Sequence, residues 1–192
     1  PLPLGICVAN TQGQIGYMVQ QTLQNKLRDL EVDREVVTLV TQVLVDKNDK
    51  SIKNPTKFVG ARYTKEEIDK LAKKLNWSVK EQEPGFWRRV VPSPMPEYIM
   101  HGKSIKALVD RGTIVIAFGG GGIPVFNNNN GQIEGIDAVI DKDFSAAKMG
   151  RIIRAQELWI ISDIDYLYSN FGTENARPIK EIGTKELQSL YN

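Results

Sequence analysis

Apolar residues at Ile15, Met18, Val19, Leu23, Leu27 and Leu30 recur at spacings of three and four, which predicts an amphipathic helix over 11–30 with these residues, Met18 included, in the core. Residues 36–45 read V-V-T-L-V-T-Q-V-L-V, a β-branched run with apolar residues on both faces, as expected of a strand inside a sheet. Residues 113–118 and 158–162 are predicted to be a second and a third buried strand. Thr64-Lys65-Glu66-Glu67 is a capping box opening a helix that runs to about Leu75. Short strands are expected at 77–80 and 87–91. Pro92, Pro94 and Pro96 then impose an extended connection, because each proline lacks an N–H and disfavours helix in the residue before it. Residues 104–110 form a short helix stopped by Gly112, 125–136 a hairpin turning at the Asn127-Asn128-Asn129-Asn130-Gly131 run, and 143–155 a further helix. Buried strands alternating with amphipathic helices define an α/β fold with a largely parallel sheet, interrupted by a small α+β insert.

Composition narrows the function classes. At 192 residues, with 41% hydrophobic and 25% charged, the chain has the make-up of a soluble globular protein with a sizeable core. Its net charge is only +2, and Lys47, Lys50, Lys53 and Lys57 are interleaved with Asp46, Asp49 and Glu66, so no nucleic-acid partner is expected. The single cysteine, Cys7, excludes an intramolecular disulfide and a thiolate metal cluster, and is expected as a small buried hydrophobe. The single histidine, His101, excludes His-rich zinc sites and is expected at the surface, although a Ser–His pair stays open. No apolar run has the length of a membrane span and no signal-like stretch opens the chain, so a cytoplasmic protein is expected. The chain opens Pro1-Leu2-Pro3-Leu4 without methionine and is expected to be part of a longer polypeptide.

Ligands of open α/β sheets bind beyond the carboxyl ends of the strands, and candidate chemistry follows each predicted strand. Lys57, in Asn54-Pro55-Thr56-Lys57, comes after the first, Gly119, Gly120, Gly121 and Gly122 after the second, and Asp163 and Asp165 after the third. The glycine run is either an anion nest, whose backbone N–H groups approach a ligand closely, or a flexible connection. It is not a Walker loop, since no Lys-Ser/Thr follows. Asp141-Lys142-Asp143 is either surface charge alternation or a phosphoryl site in which Lys142 neutralises transferring charge and Asp143 holds the lysine. Asp163 and Asp165 are either solvated loop residues or contacts to a nucleotide or its Mg²⁺. Arg88 and Arg89 alternate on a strand, so at most one faces a given site.

Six stretches taken together resemble the carbamate kinase family of the amino-acid kinase superfamily. They are Thr11-Gln12-Gly13-Gln14-Ile15-Gly16-Tyr17, Val40-Thr41-Gln42-Val43, Asn54-Pro55-Thr56-Lys57, Trp87-Arg88-Arg89-Val90-Val91-Pro92-Ser93-Pro94, Gly119-Gly120-Gly121-Gly122-Ile123-Pro124 and Ala138-Val139-Ile140-Asp141-Lys142-Asp143. The resemblance implies an open αβα sandwich with a protruding subdomain, here 54–91, over the active site of a single domain spanning 1–192. It implies that Lys57, Lys142 and Asp143 act at the phosphoryl group, that Gly119 to Gly122 line the carbamate side, and that Ser162 and Asp163 stand beside the nucleotide, where Asp165 is a further candidate contact. Substrates would be carbamoyl phosphate and ADP with Mg²⁺, yielding ATP in arginine fermentation, and the enzyme would be a homodimer. The family's Gly-Gly-Asn, Gly-Asn-Gly-Pro-Gln and Gly-Ser-Met-Gly-Pro-Lys segments have no counterpart here. Pro84-Gly85-Phe86 replaces its Gly-Arg-Gly, which implies an altered lid. A truncated non-catalytic paralogue, or another acylphosphate-forming kinase, is the alternative.

Overall fold

The computed structural model describes residues 2–191, which fall into two compact units divided after Leu158. The first unit begins with α1 (Leu4–Asp29), β1 (Val36–Leu39), β2 (Gln42–Val45) and the short α2 (Lys50–Lys53). Next come β3 (Lys57–Tyr63), α3 (Lys65–Leu75), β4 (Val79–Glu83) and β5 (Phe86–Val91). The unit continues with β6 (Pro96–Ile99), α4 (Gly102–Asp110), β7 (Ile114–Ala117), β8 (Ile123–Asn127), β9 (Ile133–Gly135) and α5 (Lys142–Ile153). The second unit contains β10 (Leu167–Ser169), β11 (Arg177–Ile179) and α6 (Thr184–Tyr191), with β10 and β11 antiparallel.

Two parallel pairs form the centre of the first unit. β1 lies beside β7, with Val36 opposite Ile114, and β2 lies beside β8, with Gln42 opposite Ile123. Antiparallel β6 and β9 flank the second pair. Successive strand residues point to opposite faces. Leu39 packs into a core of Val43, Ile99, Ile105, Phe118, Ile140 and Met149, whereas its neighbour Thr38 meets Gly16 of α1, where any Cβ would overlap the threonine methyl. Helix α1 therefore covers one face and α4 with α5 the other, giving an αβα layering. Within 54–91, β3, β5 and β4 make a separate antiparallel sheet under α3.

Several local expectations hold. Thr64 Oγ1 accepts the Glu67 N–H at 3.4 Å while Glu67 Oε2 accepts the Thr64 N–H at 2.9 Å, so the capping box forms at the start of α3. The asparagine run turns the β8–β9 hairpin. Arg88 and Arg89 do diverge: Arg88 bonds the Gly60 carbonyl oxygen within the insert, and Arg89 reaches Asp137 outside it.

Others need correction. The expected strand over 36–45 is two strands broken at Val40 and Thr41, because the buried Gln12 side chain takes the place of a strand partner. Its Oε1 accepts the Thr41 N–H at 2.7 Å and its Nε2 donates to the Thr41 carbonyl at 3.3 Å. The first helix starts at Leu4, well before residue 11, and docks through Gln12, Gly16 and Leu27. Leu27 is buried as expected, but Ile15, Met18, Val19 and Leu30 are exposed, since the close approach at Gly16 turns Gln12 and Gly16 toward the sheet. Cys7 is exposed on the same helix, and His101 is half-buried at the start of α4 with a buried Nδ1. β3 was not anticipated; Gly60, at φ +73°, interrupts its apolar alternation where the register with β5 shifts. The third buried strand does not form. Residues 158–162 are irregular, and Ile161 is 91% exposed, because β preference cannot bury a run that no neighbouring strand flanks.

Candidate active site

The first parallel pair gives way to the second where both chains bend: β1 to β2 at Thr41, and β7 to β8 at the glycine loop. Thr41 ties the bends together, its carbonyl accepting the Ile123 N–H at 2.9 Å and its hydroxyl the Phe118 N–H at 3.4 Å. Phe118 enters the loop at φ +70°, a left-handed conformation that costs a non-glycine residue on the order of 1–3 kcal/mol and persists only where its surroundings enforce it. Gly119 and Gly122 continue with φ of +57° and +90°. At Gly121 a Cβ would run into the carbonyl oxygen of Ile140. A loop with these steric demands is a shaped turn, which disfavours the flexible-connection alternative. The four glycines form one wall of a cavity of about 270 Å³, opposite Cys7, Val8 and Thr11 of α1.

Helix α5 is locked to this loop. Buried Ser145 donates from Oγ to the Gly121 carbonyl at 2.7 Å, a link that no sequence signal announced. At the same helix's N-terminus Asp141 caps α5, its Oδ1 accepting the Asp143 N–H at 3.0 Å. Its Oδ2 lies 3.4 Å from Lys57 Nζ, so the insert's lysine reaches the helix start. The Asp143 amide holds the Asp141 carboxyl below its ordinary range, with Lys57 and Lys142 adding to this against the opposing effect of partial burial. Lys142 Nζ stands 3.2 Å from Asp143 Oδ1 and is exposed. Lys57, Lys142, Asp143 and the glycine loop thus lie around one helix N-terminus, connected by Asp141 and Ser145 in roles that sequence reasoning missed. Two lysine cations, the positive end of a helix dipole and a constrained glycine loop suit an anion whose charge shifts during reaction.

Ser162, Asp163 and Asp165 belong to the second unit, where all are exposed. Ser162 Oγ contacts Asp163 Oδ1 at 3.4 Å and accepts the Ile164 N–H at 3.4 Å, a local turn. Among the described residues no group of three or more His, Cys, Asp or Glu could hold a metal ion, and no helix is long and apolar enough to cross a membrane.

A fold with parallel strand pairs between helical layers and a constrained glycine loop beside the start of α5 is matched in sequence. The Amino acid kinase family profile covers residues 10–192, and the chain belongs to that family. Within it, the chain is 44% identical over 189 residues to the carbamate kinase of Pyrococcus furiosus, and 44% identical over 188 residues to carbamate kinase 2 of Staphylococcus epidermidis. Each alignment spans 98% of this chain but 60% of the relative, so the chain spans about three-fifths of the length of the curated relatives it matches. Solved structures agree. A crystal structure from Aeropyrum pernix K1 superposes with a TM-score of 0.90 at 34% identity, covering 98% of this chain and 60% of that one. Carbamate kinase from Giardia lamblia bound to AMP-PNP superposes with 0.87 at 37% identity, covering 99% and 60%.

Proposed function

We propose that the protein acts as a carbamate kinase, moving the phosphoryl group of carbamoyl phosphate onto ADP. The observation that carries this reading is the reach of Lys57 from the insert to Asp141, which sets a second cation beside Lys142 at the start of α5 and beside the glycine loop. In the reaction the bond between phosphorus and the carbamoyl oxygen breaks, and an oxygen of the ADP β-phosphate forms the new bond. ATP and carbamate result, and carbamate decomposes to ammonia and CO2. Lys57 and Lys142 offset charge on the transferring group, and Asp143 fixes Lys142. Gly119, Gly120, Gly121 and Gly122 admit the carbamoyl end close to backbone. Asp141 acts as a positioning residue, since its carboxylate stays ionised and holds both the helix start and Lys57.

The nucleotide end is assigned to Ser162, Asp163 and Asp165, and AMP-PNP in the Giardia lamblia relative supports a nucleotide substrate. Mg²⁺ would arrive on the nucleotide, held by its phosphate oxygens in the absence of a carboxylate cage among the described residues, and would offset phosphate charge. Residues 54–91 are read as a lid inserted in one domain. A homodimer in the cytoplasm, making ATP in arginine fermentation, completes the reading. The test is coupled detection of ATP formed from ADP and carbamoyl phosphate. Lys142→Ala is expected to lower kcat by on the order of 10²-fold or more, as loss of a preorganised electrostatic contact does. Turnover that Lys142→Ala leaves intact would remove the proposal, and a folded parent chain without turnover would mean either a fragment of a longer enzyme or the non-catalytic paralogue.

A further inference from the structure

The 54–91 insert meets the rest of its unit at two charged contacts. One is Lys57 with Asp141. In the other, Arg89 Nη2 donates to Asp137 Oδ2 at 2.7 Å. Lys57 pairs with Val91 across the β3–β5 ladder and Val59 with Arg89, and the register does not shift until after Val59. Residues two apart on a strand and partners directly across share a face, so Lys57 and Arg89 leave the insert on the same side. Their acceptors are also close in sequence, in the segment that leads into α5. Two cations on one face of the insert therefore meet two carboxylates on one stretch of chain.

The two contacts differ in kind. The Arg89 guanidinium is fixed from both directions: it lies over the Trp77 ring of the insert, 5.0 Å from the centroid, and its carboxylate partner is itself held, Asp137 Oδ1 accepting the Leu4 N–H at 3.0 Å. The Arg89 side chain is 18% exposed. Lys57 makes a longer contact from a more open position, 43% exposed. A planar guanidinium stacked on a ring and bonded to a fixed carboxylate is a rigid connection, whereas a lysine ammonium at 3.4 Å exchanges partners easily. We infer that Arg89 and Asp137 form a latch that sets the insert at the height from which Lys57 reaches the start of α5. Lys57 then trades Asp141 for an incoming anion. Arg89 is a positioning residue, committed within the protein and not a ligand of substrate. The statement about an incoming anion rests on the kinase reading; the latch does not.

The test measures the position of the insert directly. Nitroxide labels at Lys74→Cys on α3 and Lys103→Cys on α4, in a Cys7→Ser background, report the distance between insert and sandwich by pulsed electron spin resonance. Asp137→Asn keeps an oxygen for the Leu4 amide and removes both the charge and the acceptor that Arg89 uses, and Arg89→Lys keeps the charge and removes the planar fork. A single narrow distribution is expected for the parent, a broad and displaced one for Asp137→Asn, and an intermediate one for Arg89→Lys. In the protein retaining Cys7, Asp137→Asn is expected to lower kcat by on the order of tenfold to a hundredfold through misplacement of Lys57. Superimposable distributions in the folded parent and both variants overturn the latch, whatever the activity. Displaced distributions with no turnover in the parent leave the latch standing and remove only the activity of this chain on its own.

Discussion

Residues 36–45 and 158–162 are built of similar amino acids and differ in what surrounds them. The first run is flanked by β7, β8 and β6, and Val36, Val43 and Val45 are buried. The second is at least as rich in large apolar side chains, yet Leu158, Ile160 and Ile161 are all more than half exposed and no strand forms. Side chains confer a preference for extended backbone, but burial comes from neighbours whose hydrogen bonds and surfaces are supplied from elsewhere in the chain. The 36–45 run also shows how specific such a neighbour must be, since the amide of Gln12 completes the backbone bonding at the point where the strand bends.

The largest effect should come from attacking the flanked region. Ile99 is fully buried against β2, and Ile99→Ala is expected to cost about 2–5 kcal/mol in urea unfolding, through lost transfer energy and the cavity left behind. Next in size is Gln12→Ala, which makes one position of 36–45 as unsupported as 158–162. The buried Thr41 N–H loses its partner, and a cost of about 1–3 kcal/mol is expected, together with faster hydrogen exchange at Thr41. A smaller effect separates charge from packing at the start of α5. The folded Asp141 carboxyl titrates below its ordinary value of 3.8, so its contribution is complete above that value and is lost as pH falls through the lower, folded one. Asp141→Asn should therefore flatten the acid side of the stability–pH profile, and an unchanged slope would show that the Lys57 and Asp143 contacts are not retained in solution. Smallest of all is Ile161→Ala, expected within about 0.5 kcal/mol of the parent as for other exposed positions. A cost near that of Ile99→Ala would break the comparison, because it would mean that 158–162 is buried in solution.

Legibility followed the range of the interactions. The α3 capping box and the asparagine hairpin were readable because every participant lies within a few residues. The stations of the candidate site were readable as residue types, but their connection was not. Asp141 looked like one charge in an alternating run, and only the fold shows it capping α5 while holding a lysine from β3. Ser145 gave no signal, since its role depends on the Gly121 carbonyl being brought against it. Only Leu27 of the apolar stripe expected on α1 is buried in the sheet contact, because apolar spacing measures amphipathicity, whereas the first part of the helix docks at Gly16, small enough for close contact with β1.

The parallel register of β1 and β7 also bears on the order in which the molecule assembles. Bringing Val36 beside Ile114 closes a loop of about 80 residues, an entropic cost that grows slowly with loop length. Residues 54–91 lie inside that loop, and their own structure is mostly short-range: a capped helix and a hairpin of adjacent strands. An insert that orders early shortens the chain still to be closed. Substitutions that weaken α3 should then slow folding of the central strands they never touch, so the segment that delivers a lysine to the site also paces the formation of the sheet beneath it.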